Sequence, residues 1–397
     1  MPRLDYHTAG ESHGPALVVT VTGLPAGLEL DEALINGELA RRQGGYGRGG
    51  RQNIEDDRVE FLTGVRQGRT IGSPLTMVIR NKDARLDDPA KTPPVHRPRP
   101  GHADLAGSIK FLTTDCRDVL ERASARETAS RTAAGAVARC LLRQFKIEPF
   151  AFVRSIAGAA TDAAVTPSNW AGLKAARDAS ETYCPDPAAT AKQAAAIRQA
   201  KIDKDTVGGA VECHVFGVPP GLGTCMDWRD KLDARLAYAV MGIQAIKGVE
   251  IGLGFGVANL PGSRVHDPIR YDAARAGEAS LGFLRDTNNA GGTEGGMTNG
   301  QPIVVRAAMK PISTLLRGLP SVDLNTKRAE ASSYERSDVC AVPAASVVLE
   351  NVAAFEVARA LCDKFAGDTL REIHAAYDAY LDMARALPLD PPIMRIA

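Results

Sequence analysis

Apolar positions along the chain fall into short β-branched runs and into longer segments with helical spacing. Residues 17–22 form such a run and predict a strand, and Gly23 and Gly27 mark a turn after it. Asp31 is placed to cap a following helix that ends near Arg42. The same patterns predict strands at residues 59–62, 75–80 and 303–309 and helices at residues 114–145, 188–200, 346–361 and 369–386. The chain is therefore expected to mix α and β structure throughout.

One pattern occurs twice. Residues 18–28 and 211–222 both contain a strand, the turn G-x-P-x-G-L and the start of a helix with inward leucines. The two copies lie about half the chain apart. This spacing predicts two similar halves, roughly residues 1–205 and 206–397, packed as one domain that spans residues 1–397. The alternative is chance recurrence of a common turn.

Composition and charge narrow the classes of protein. The chain has 397 residues, 48 Lys+Arg against 47 Asp+Glu, and 44% hydrophobic residues. These values exclude a disordered chain and argue against a general nucleic-acid or membrane binder. No apolar run approaches the ~20 residues that cross a bilayer, and the first eleven residues lack a signal pattern, so a cytoplasmic location is expected. The seven cysteines are spread without C-x-x-C, and the histidines show no metal-ligand spacing, so reduced thiols and no metal are expected.

A histidine lies in the glycine-flanked segment GESHG at residues 10–14. His13 could act as an acid or base at neutral pH, or could be a structural histidine. The letters also match the nucleophile elbow G-x-S-x-G. That motif joins a strand to a helix, whereas this turn precedes a strand, so a serine hydrolase is disfavoured.

Arginines surround a glycine-rich loop at residues 44–50. Arg41, Arg42, Arg48 and Arg51 offer guanidinium groups that suit phosphate and carboxylate. A solvated basic loop or an RNA-binding segment is the alternative. Because the chain as a whole is balanced in charge, a small anion is the favoured ligand.

Three further charged clusters could contribute to a site. His102 lies in a proline-stiffened loop, where Asp104 could orient it. Arg122 and Arg126 would share one face of a helix, where the alternative is an ordinary salt-bridged surface. Asp338 could serve as a base, or could belong to a surface turn with a local ion pair.

Seven segments resemble, in order, those of the chorismate synthase family. They are GESHG (10–14), ARRQGGYGRGGR (40–51), RPGHAD (99–104), ERASARET (121–128), GGMTNG (295–300), MKPIST (309–314) and RSDVC (336–340). Each is a weak signal alone, but together they cover essentially the whole chain.

The resemblance implies a fold and a reaction. The implied fold is α+β, a β-α-β sandwich with helices between two antiparallel sheets and a pseudo-twofold internal repeat. The implied reaction is the anti-1,4-elimination of phosphate from 5-enolpyruvylshikimate 3-phosphate to give chorismate, which requires reduced FMN without net redox change. It is the last step of the shikimate pathway to aromatic amino acids. A homotetramer is implied, with NADP as an associated nucleotide. The chain lacks a Rossmann fingerprint, so an external source of reduced flavin is expected.

The resemblance also implies roles for individual residues. His13 matches the proton donor to the departing phosphate, His102 the histidine near flavin N1, and Asp338 the base for the C6 proton. Ser12 and Ser124 match serines proposed to relay protons. The positions that match the anionic pocket are Arg42, Arg48, Arg126 and Arg336. The positions that match flavin contacts are Arg122, Ala123, Ser124, Gln244, Ala245, Gly295, Lys310, Pro311, Ile312, Ser313, Thr314 and Arg336. Some relatives differ at Ala123 and Gln244, which puts those two contacts in doubt.

Two other classes of function stay open from the sequence. One is a flavin enzyme that transfers hydride to a different substrate, and net substrate oxidation would identify it. The other is an RNA-binding protein that uses the loop at residues 41–51, and steeply salt-dependent binding would reveal it.

Overall fold

The structure is a computed structural model, and it describes residues 3–50, 54–335 and 338–389. Its strands are β1 (Asp5–Ala9), β2 (Ala16–Thr22), β3 (Glu60–Thr63), β4 (Val65–Arg66), β5 (Arg69–Thr70), β6 (Leu75–Arg80), β7 (Glu148–Ile156), β8 (Ala159–Ala160), β9 (Gly209–Phe216), β10 (Ile246–Ile251), β11 (Ile269–Tyr271), β12 (Phe283–Arg285), β13 (Thr293–Glu294), β14 (Met297–Thr298), β15 (Ile303–Met309), β16 (Pro320–Val322) and β17 (Ala329–Ala331). Its helices are α1 (Glu32–Gln43), α2 (Asp104–Lys110), α3 (Arg117–Arg122), α4 (Thr128–Arg143), α5 (Trp170–Asp178), α6 (Pro187–Ile202), α7 (Leu232–Met241), α8 (Gly262–Val265), α9 (Val342–Lys364) and α10 (Leu370–Arg385).

Two antiparallel sheets form the outer layers. One has the strand order β1-β2-β6-β3, and the other has the order β10-β15-β9-β7-β8. The strand predicted at residues 17–22 is β2, in which Val19 and Val21 are fully buried. The strands predicted at residues 59–62 and 75–80 are β3 and β6, and they pair with Glu60 opposite Val78. The predicted strand at residues 303–309 is β15.

Helices fill the space between the sheets. The helix α4 packs on β2 and on α9, α9 packs on β7 and β9, and α1 and α7 pack on α4 and α9 respectively. The predicted β-α-β sandwich is therefore confirmed. A Cβ atom on Gly135 of α4 would lie 2.2 Å from the backbone oxygen of Asn351 in α9, so glycine is what lets these two helices approach closely.

The two sheets share one strand order. Aligning β1, β2, β6 and β3 with β7, β9, β15 and β10 gives the same sequence of neighbours. The two turns also match in conformation: φ is +74° at Gly23 and +77° at Gly217, and +87° at Gly27 and +90° at Gly221. This agreement supports the pseudo-twofold repeat. The shared strand order places β7 and β9 in the same half, whereas a division near residue 205 would place them in different halves. The division into halves therefore stays a prediction.

A buried carboxylate joins several elements. Glu350 in α9 is fully buried and lies 2.9 Å from Arg139 Nη1 and 2.6 Å from Arg177 Nη1. It also accepts two hydrogen bonds from Arg41 and one from the backbone nitrogen of Ala151. Burial alone would raise the pKa of Glu350, but the three arginines hold that pKa well below its usual value. This cluster, the Glu350 hub, ties α9 to α1, α4, α5 and β7.

Most predicted helices are confirmed, but one is interrupted. Asp31 caps α1 by accepting a hydrogen bond from the backbone nitrogen of Leu34, as predicted. The single helix predicted over residues 114–145 is wrong, because α3 ends at Arg122 and Ser124 is extended, with φ −63° and ψ 143°. A short 3-10 turn at Ala125–Glu127 then leads into α4. The break lets Ser124 and Arg126 face the site described next.

Candidate functional site

The loop that carries His13 lies between β1 and β2 and is held against α3. The backbone nitrogen of His13 donates to Glu121 Oε2 at 2.8 Å, and His13 Nδ1 lies 2.9 Å from Glu121 Oε1. The backbone nitrogen of Ser12 donates to the backbone oxygen of Glu121 at 3.0 Å. The side-chain amide of Asn81 donates to the backbone oxygen of Gly14 at 2.8 Å. The imidazole therefore has a fixed orientation.

The carboxylate of Glu121 is the partner that orients His13. It is almost completely buried. Burial alone would raise the pKa of Glu121, but its contacts with His13 and the nearby Arg117 hold that pKa below its usual value. Arg117 also donates to Glu335 Oε1 at 3.0 Å, so it links the His13 loop to the segment that leads to Asp338.

Ser12 and Ser124 meet at the break between α3 and α4. The Ser124 hydroxyl donates to the Ser12 hydroxyl oxygen at 3.2 Å. Arg122 stays on the exposed side of α3, where it donates to the backbone oxygens of Gly10 and Thr8. The interruption of the helix thus separates Arg122 from Arg126, which the sequence placed on one helix face.

Two of the predicted anion-binding arginines share one buried carboxylate. Arg42 Nη2 donates to Asp57 Oδ2 at 2.5 Å, and Arg126 Nη1 donates to Asp57 Oδ1 at 2.6 Å. Arg126 Nε also donates to the Asn81 side-chain oxygen, which connects this group to the His13 loop. Burial would raise the pKa of Asp57, but the two arginines hold it below its usual value. Glu55 Oε2 also lies 3.7 Å from Arg126 Nη2, so two buried carboxylates hold these two guanidinium groups in place. Arg41 instead belongs to the Glu350 hub.

Arg48 and Asp338 form an ion pair in the wall of a cleft. Arg48 Nη1 donates to Asp338 Oδ2 at 2.5 Å, and the backbone nitrogen of Gly49 donates to Asp338 Oδ1 at 2.6 Å. The cleft has a volume of about 500 Å³, and Thr314 and Tyr334 also line it. It is large enough for a small metabolite. Burial, and then the nearby Arg126 and Arg48, lower the pKa of Arg42, so Arg48 lies near the buried arginine pair.

The proline-stiffened loop presents His102 with a buried partner, as its sequence predicts. His102 Nδ1 contacts Asp104 Oδ1, and Arg99 Nε donates to Asp104 Oδ2 at 2.8 Å. Burial would raise the pKa of Asp104, but the hydrogen bonds from His102 and Arg99 hold that pKa well below its usual value. Arg99 Nη1 also donates to Thr314 Oγ1 at 2.9 Å, which brings this loop to the edge of the cleft.

The segment MKPIST packs beside the same loop. Lys310 Nζ donates to Ser313 Oγ at 2.9 Å, and Ser313 Oγ donates to the backbone oxygen of Gly101 at 3.0 Å. The backbone nitrogen of Lys310 donates to the backbone oxygen of Ala245, and the backbone oxygen of Ile312 accepts from Thr206. Burial and the neighbouring cations Lys247 and Arg99 lower the pKa of Lys310. The segment therefore presents concentrated positive charge.

Other predicted positions lie apart from this cluster or outside the described residues. Gln244 Nε2 donates to Glu127 Oε2, while its buried side-chain oxygen has no hydrogen-bond partner among the described residues. Ala123 directly follows α3, and Pro311 follows Lys310. Gly295 lies in the turn between β13 and β14. Arg336 lies outside the described residues.

The partners of the predicted site residues were the features that sequence reasoning missed. Glu121 and Asp57 lie far along the chain from the groups they hold, and no local spacing indicates them. The sequence could have indicated Arg99, because it lies in the same short loop as His102 and Asp104. No sequence pattern indicates Arg85, whose Nη2 lies 3.2 Å from His13 Nε2.

Several features are absent from the part of the chain that the structure describes. It contains no group of three or more His, Cys, Asp or Glu side chains that could hold a metal ion. It also contains no helix that is long and apolar enough to cross a membrane.

Comparisons with known proteins show which family the chain resembles. The sequence model of the chorismate synthase family matches residues 4–362. A chorismate synthase from Geobacter metallireducens is 53% identical, over 96% of this chain and 100% of that protein. One from Desulforamulus reducens is 52% identical, over 96% of this chain and 99% of that protein. A solved crystal structure of chorismate synthase superposes with a TM-score of 0.80 at 39% identity, over 98% of this chain and 100% of that one. The chain therefore belongs to the chorismate synthase family of lyases.

Proposed function

We propose that this chain removes phosphate from 5-enolpyruvylshikimate 3-phosphate by anti-1,4-elimination and so forms chorismate, with reduced FMN and without net redox change. Family membership supports the reaction class. The observation that carries the proposal is the cleft whose wall holds the paired Arg48 and Asp338, with Arg48 near the buried Arg42 and Arg126. A substrate with two carboxylates and a phosphate needs such a concentration of guanidinium groups.

His13 is the proposed proton donor to the departing phosphate. Its Nδ1 is held by Glu121, so Nε2 is the atom that can hold the transferred proton. The contact between Ser124 and Ser12 supports a hydroxyl path that moves protons beside this loop. Arg126 would stabilise the negative charge that develops on the phosphate oxygens.

Asp338 is the proposed base for the proton at C6. Its two carboxylate oxygens accept from Arg48 and from the backbone nitrogen of Gly49, which fixes the plane of the carboxylate. A fixed carboxylate at the wall of a cleft meets the geometric demand on a general base. Arg48 can also bind a substrate carboxylate, since a guanidinium offers five donors.

The residues around Lys310 fit an anionic flavin. Lys310 is half-buried near Lys247 and Arg99. Burial first, and then these two cations, lower the pKa of its ammonium, and a bound phosphate would offset both effects. The side-chain oxygen of Gln244, which has no hydrogen-bond partner among the described residues, offers an acceptor for a ring N–H. Arg122, Ala123, Ser124, Ala245, Gly295, the segment 310–314 and Arg336 are the other proposed contacts. Reduced FMN would lend electron density as the allylic C–O bond breaks and recover it afterwards.

His102 is the proposed partner of flavin N1. Asp104 holds Nδ1 of the ring, so Nε2 can present a proton to an anionic ligand. The pKa of Asp104 lies well below its usual value, so Asp104 is ionised and its carboxylate anion faces Nδ1 of the ring.

We also propose a homotetramer in the cytoplasm that receives reduced flavin from an external reductase linked to NADP. Large apolar side chains on the surface support self-association. Trp228 is 75% exposed, Tyr238 85% and Phe255 82%. Exposed apolar groups of this size are typical of surfaces that become buried in an assembly.

An anaerobic assay tests the reaction. The purified protein is mixed with 5-enolpyruvylshikimate 3-phosphate and dithionite-reduced FMN, and chorismate absorbance and phosphate release are followed. We expect equal amounts of both products over many turnovers per flavin, and none with oxidised FMN. Asp338→Asn should lower the rate by roughly 10²- to 10⁴-fold while flavin still binds. The exposed Asp227→Asn serves as the control. Flavin oxidation in proportion to substrate consumed, or no product, would contradict the proposal.

A further inference from the structure

His13 has a neighbour that the proposed reaction does not yet use. Arg85 follows β6, and its Nη2 lies 3.2 Å from His13 Nε2. The backbone nitrogen of Arg85 donates to the backbone oxygen of His13 at 2.9 Å, so the arginine is anchored to the same loop. Arg85 therefore contacts the ring nitrogen that would give its proton to the phosphate.

This contact determines where the proton sits on the imidazole. A guanidinium has only donors, so Nε2 must accept from Arg85. The ring proton is then on Nδ1, which donates to Glu121. His13 is thus held as the neutral tautomer that cannot donate from Nε2, since a protonated Nε2 and the guanidinium would be two donors in contact.

The other charged groups around His13 would stabilise the ring if Arg85 moved away from it. Asp83 Oδ2 lies 3.7 Å from His13 Nε2, and Asp83 Oδ1 lies 3.1 Å from Arg85 Nε. From α3, Glu121 faces the ring and Arg117 lies behind Glu121. If the guanidinium leaves, the two carboxylates remain beside the ring and stabilise an imidazolium.

We propose that Arg85 is a positioning residue that exchanges between His13 and phosphate. When a phosphate dianion enters, Arg85 turns to its oxygens, and His13 Nε2 takes up a proton from solvent. In the reaction that proton passes to a phosphate oxygen as the C–O bond breaks, and Arg85 returns when phosphate leaves. The inference rests on the proposed function, because it takes the anion to be the substrate's phosphate. Through this exchange, His13 Nε2 is protonated only when a phosphate is present.

Proton-linked calorimetry tests this exchange without turnover. Inorganic phosphate is titrated into the full-length protein at about pH 7.5 in buffers of different ionisation enthalpy, which gives the protons taken up per phosphate bound. The wild type should take up more protons than His13→Asn, and that difference belongs to His13. The proton uptake of Arg85→Met should exceed that of His13→Asn by no more than half as much as the wild-type uptake does. Phosphate should bind to Arg85→Met roughly 10-fold more weakly than to the wild type.

Two further variants make the result specific. Arg80→Met removes an exposed arginine of β6 that pairs with Glu60, and it should leave the uptake unchanged. Arg85→Lys keeps the charge without the planar fork, so its uptake should be intermediate, and it replaces Arg85→Met if that variant does not fold. Equal uptake in the wild type and His13→Asn, equal uptake in the wild type and Arg85→Met, or no phosphate binding would overturn the proposal. Proton uptake without chorismate formation would instead contradict the proposed function alone.

Discussion

Replacing Gly135 with alanine should test how tightly the two central helices are packed. The new Cβ would lie 2.2 Å from the backbone oxygen of Asn351 and 2.5 Å from its Cβ, whereas real Cβ atoms essentially never come within 3.0 Å. Because the obstacle includes backbone, no rotamer change relieves it, and α4 and α9 must separate by roughly 1 Å. Overpacking at the upper end of its range costs about 3 kcal/mol. The better helix propensity of alanine offsets about 1 kcal/mol, so the expected net loss is about 2 kcal/mol.

Gly37 provides a matched control in another helix. It is an exposed position in the interior of α1, and a Cβ there would meet nothing within 4 Å. Gly37→Ala should therefore stabilise the protein by about 0.5–1 kcal/mol. Urea unfolding followed by far-UV circular dichroism should move the two midpoints in opposite directions from the wild type. A Gly135→Ala midpoint at or above that of the wild type would show that the packing argument is wrong.

Three further changes should have measurable effects. Glu350→Gln should cost about 3–5 kcal/mol of unfolding free energy, because three arginines lose the buried negative charge that they share, whereas the surface variant Glu330→Gln should cost no more than about 1 kcal/mol. Because the pKa of Glu350 is held below its usual value by those arginines, its stabilisation is complete above about pH 4.5 and is lost as the pH falls further. The difference in unfolding free energy between the wild type and Glu350→Gln, measured by urea titration, should narrow only at acid pH. A difference that widens at acid pH would contradict this explanation. Lys310→Met should weaken FMN binding at least about 10-fold in anaerobic fluorescence titration, and unchanged affinity would remove Lys310 from the flavin site. Asp104→Asn should lower turnover by roughly 10²- to 10⁴-fold, since one accepting oxygen becomes an NH2 donor and either His102 Nδ1 or Arg99 Nε loses its acceptor, and full activity would exclude the proposed role of His102.

Much of the architecture was predictable because it depends on local patterns. The β-branched run of β2 and the Asp31 cap of α1 each act within a few residues, and both predictions are confirmed. The interruption after α3 was not predictable, because Ala and Arg around Ser124 favour a helix. There, contacts with the His13 loop outweigh helix propensity.

In the candidate site, too, local features were predictable from the sequence and contacts between distant residues were not. The sequence identified the histidines and arginines by their neighbours in the chain, and their roles stay predictions. It could not indicate which carboxylate each would meet. Arg41 and Arg42 are adjacent, yet one reaches Glu350 and the other Asp57. Successive residues on a helix point in different directions, so one joins the core and the other the pocket.

The central helix α9 has a consequence for how the protein is made. It is buried along nearly its whole length between the two sheets, yet it follows β17 in the chain and lies at residues 342–364. Until it emerges from the ribosome, the face of α4 that packs on α9 is uncovered, and Arg139 lacks one of its carboxylate partners. The layer between the two sheets is incomplete in a nascent chain that stops short of α9. Folding should therefore be completed only after α9 has been made, and the growing chain should depend on chaperones that shield exposed apolar surface.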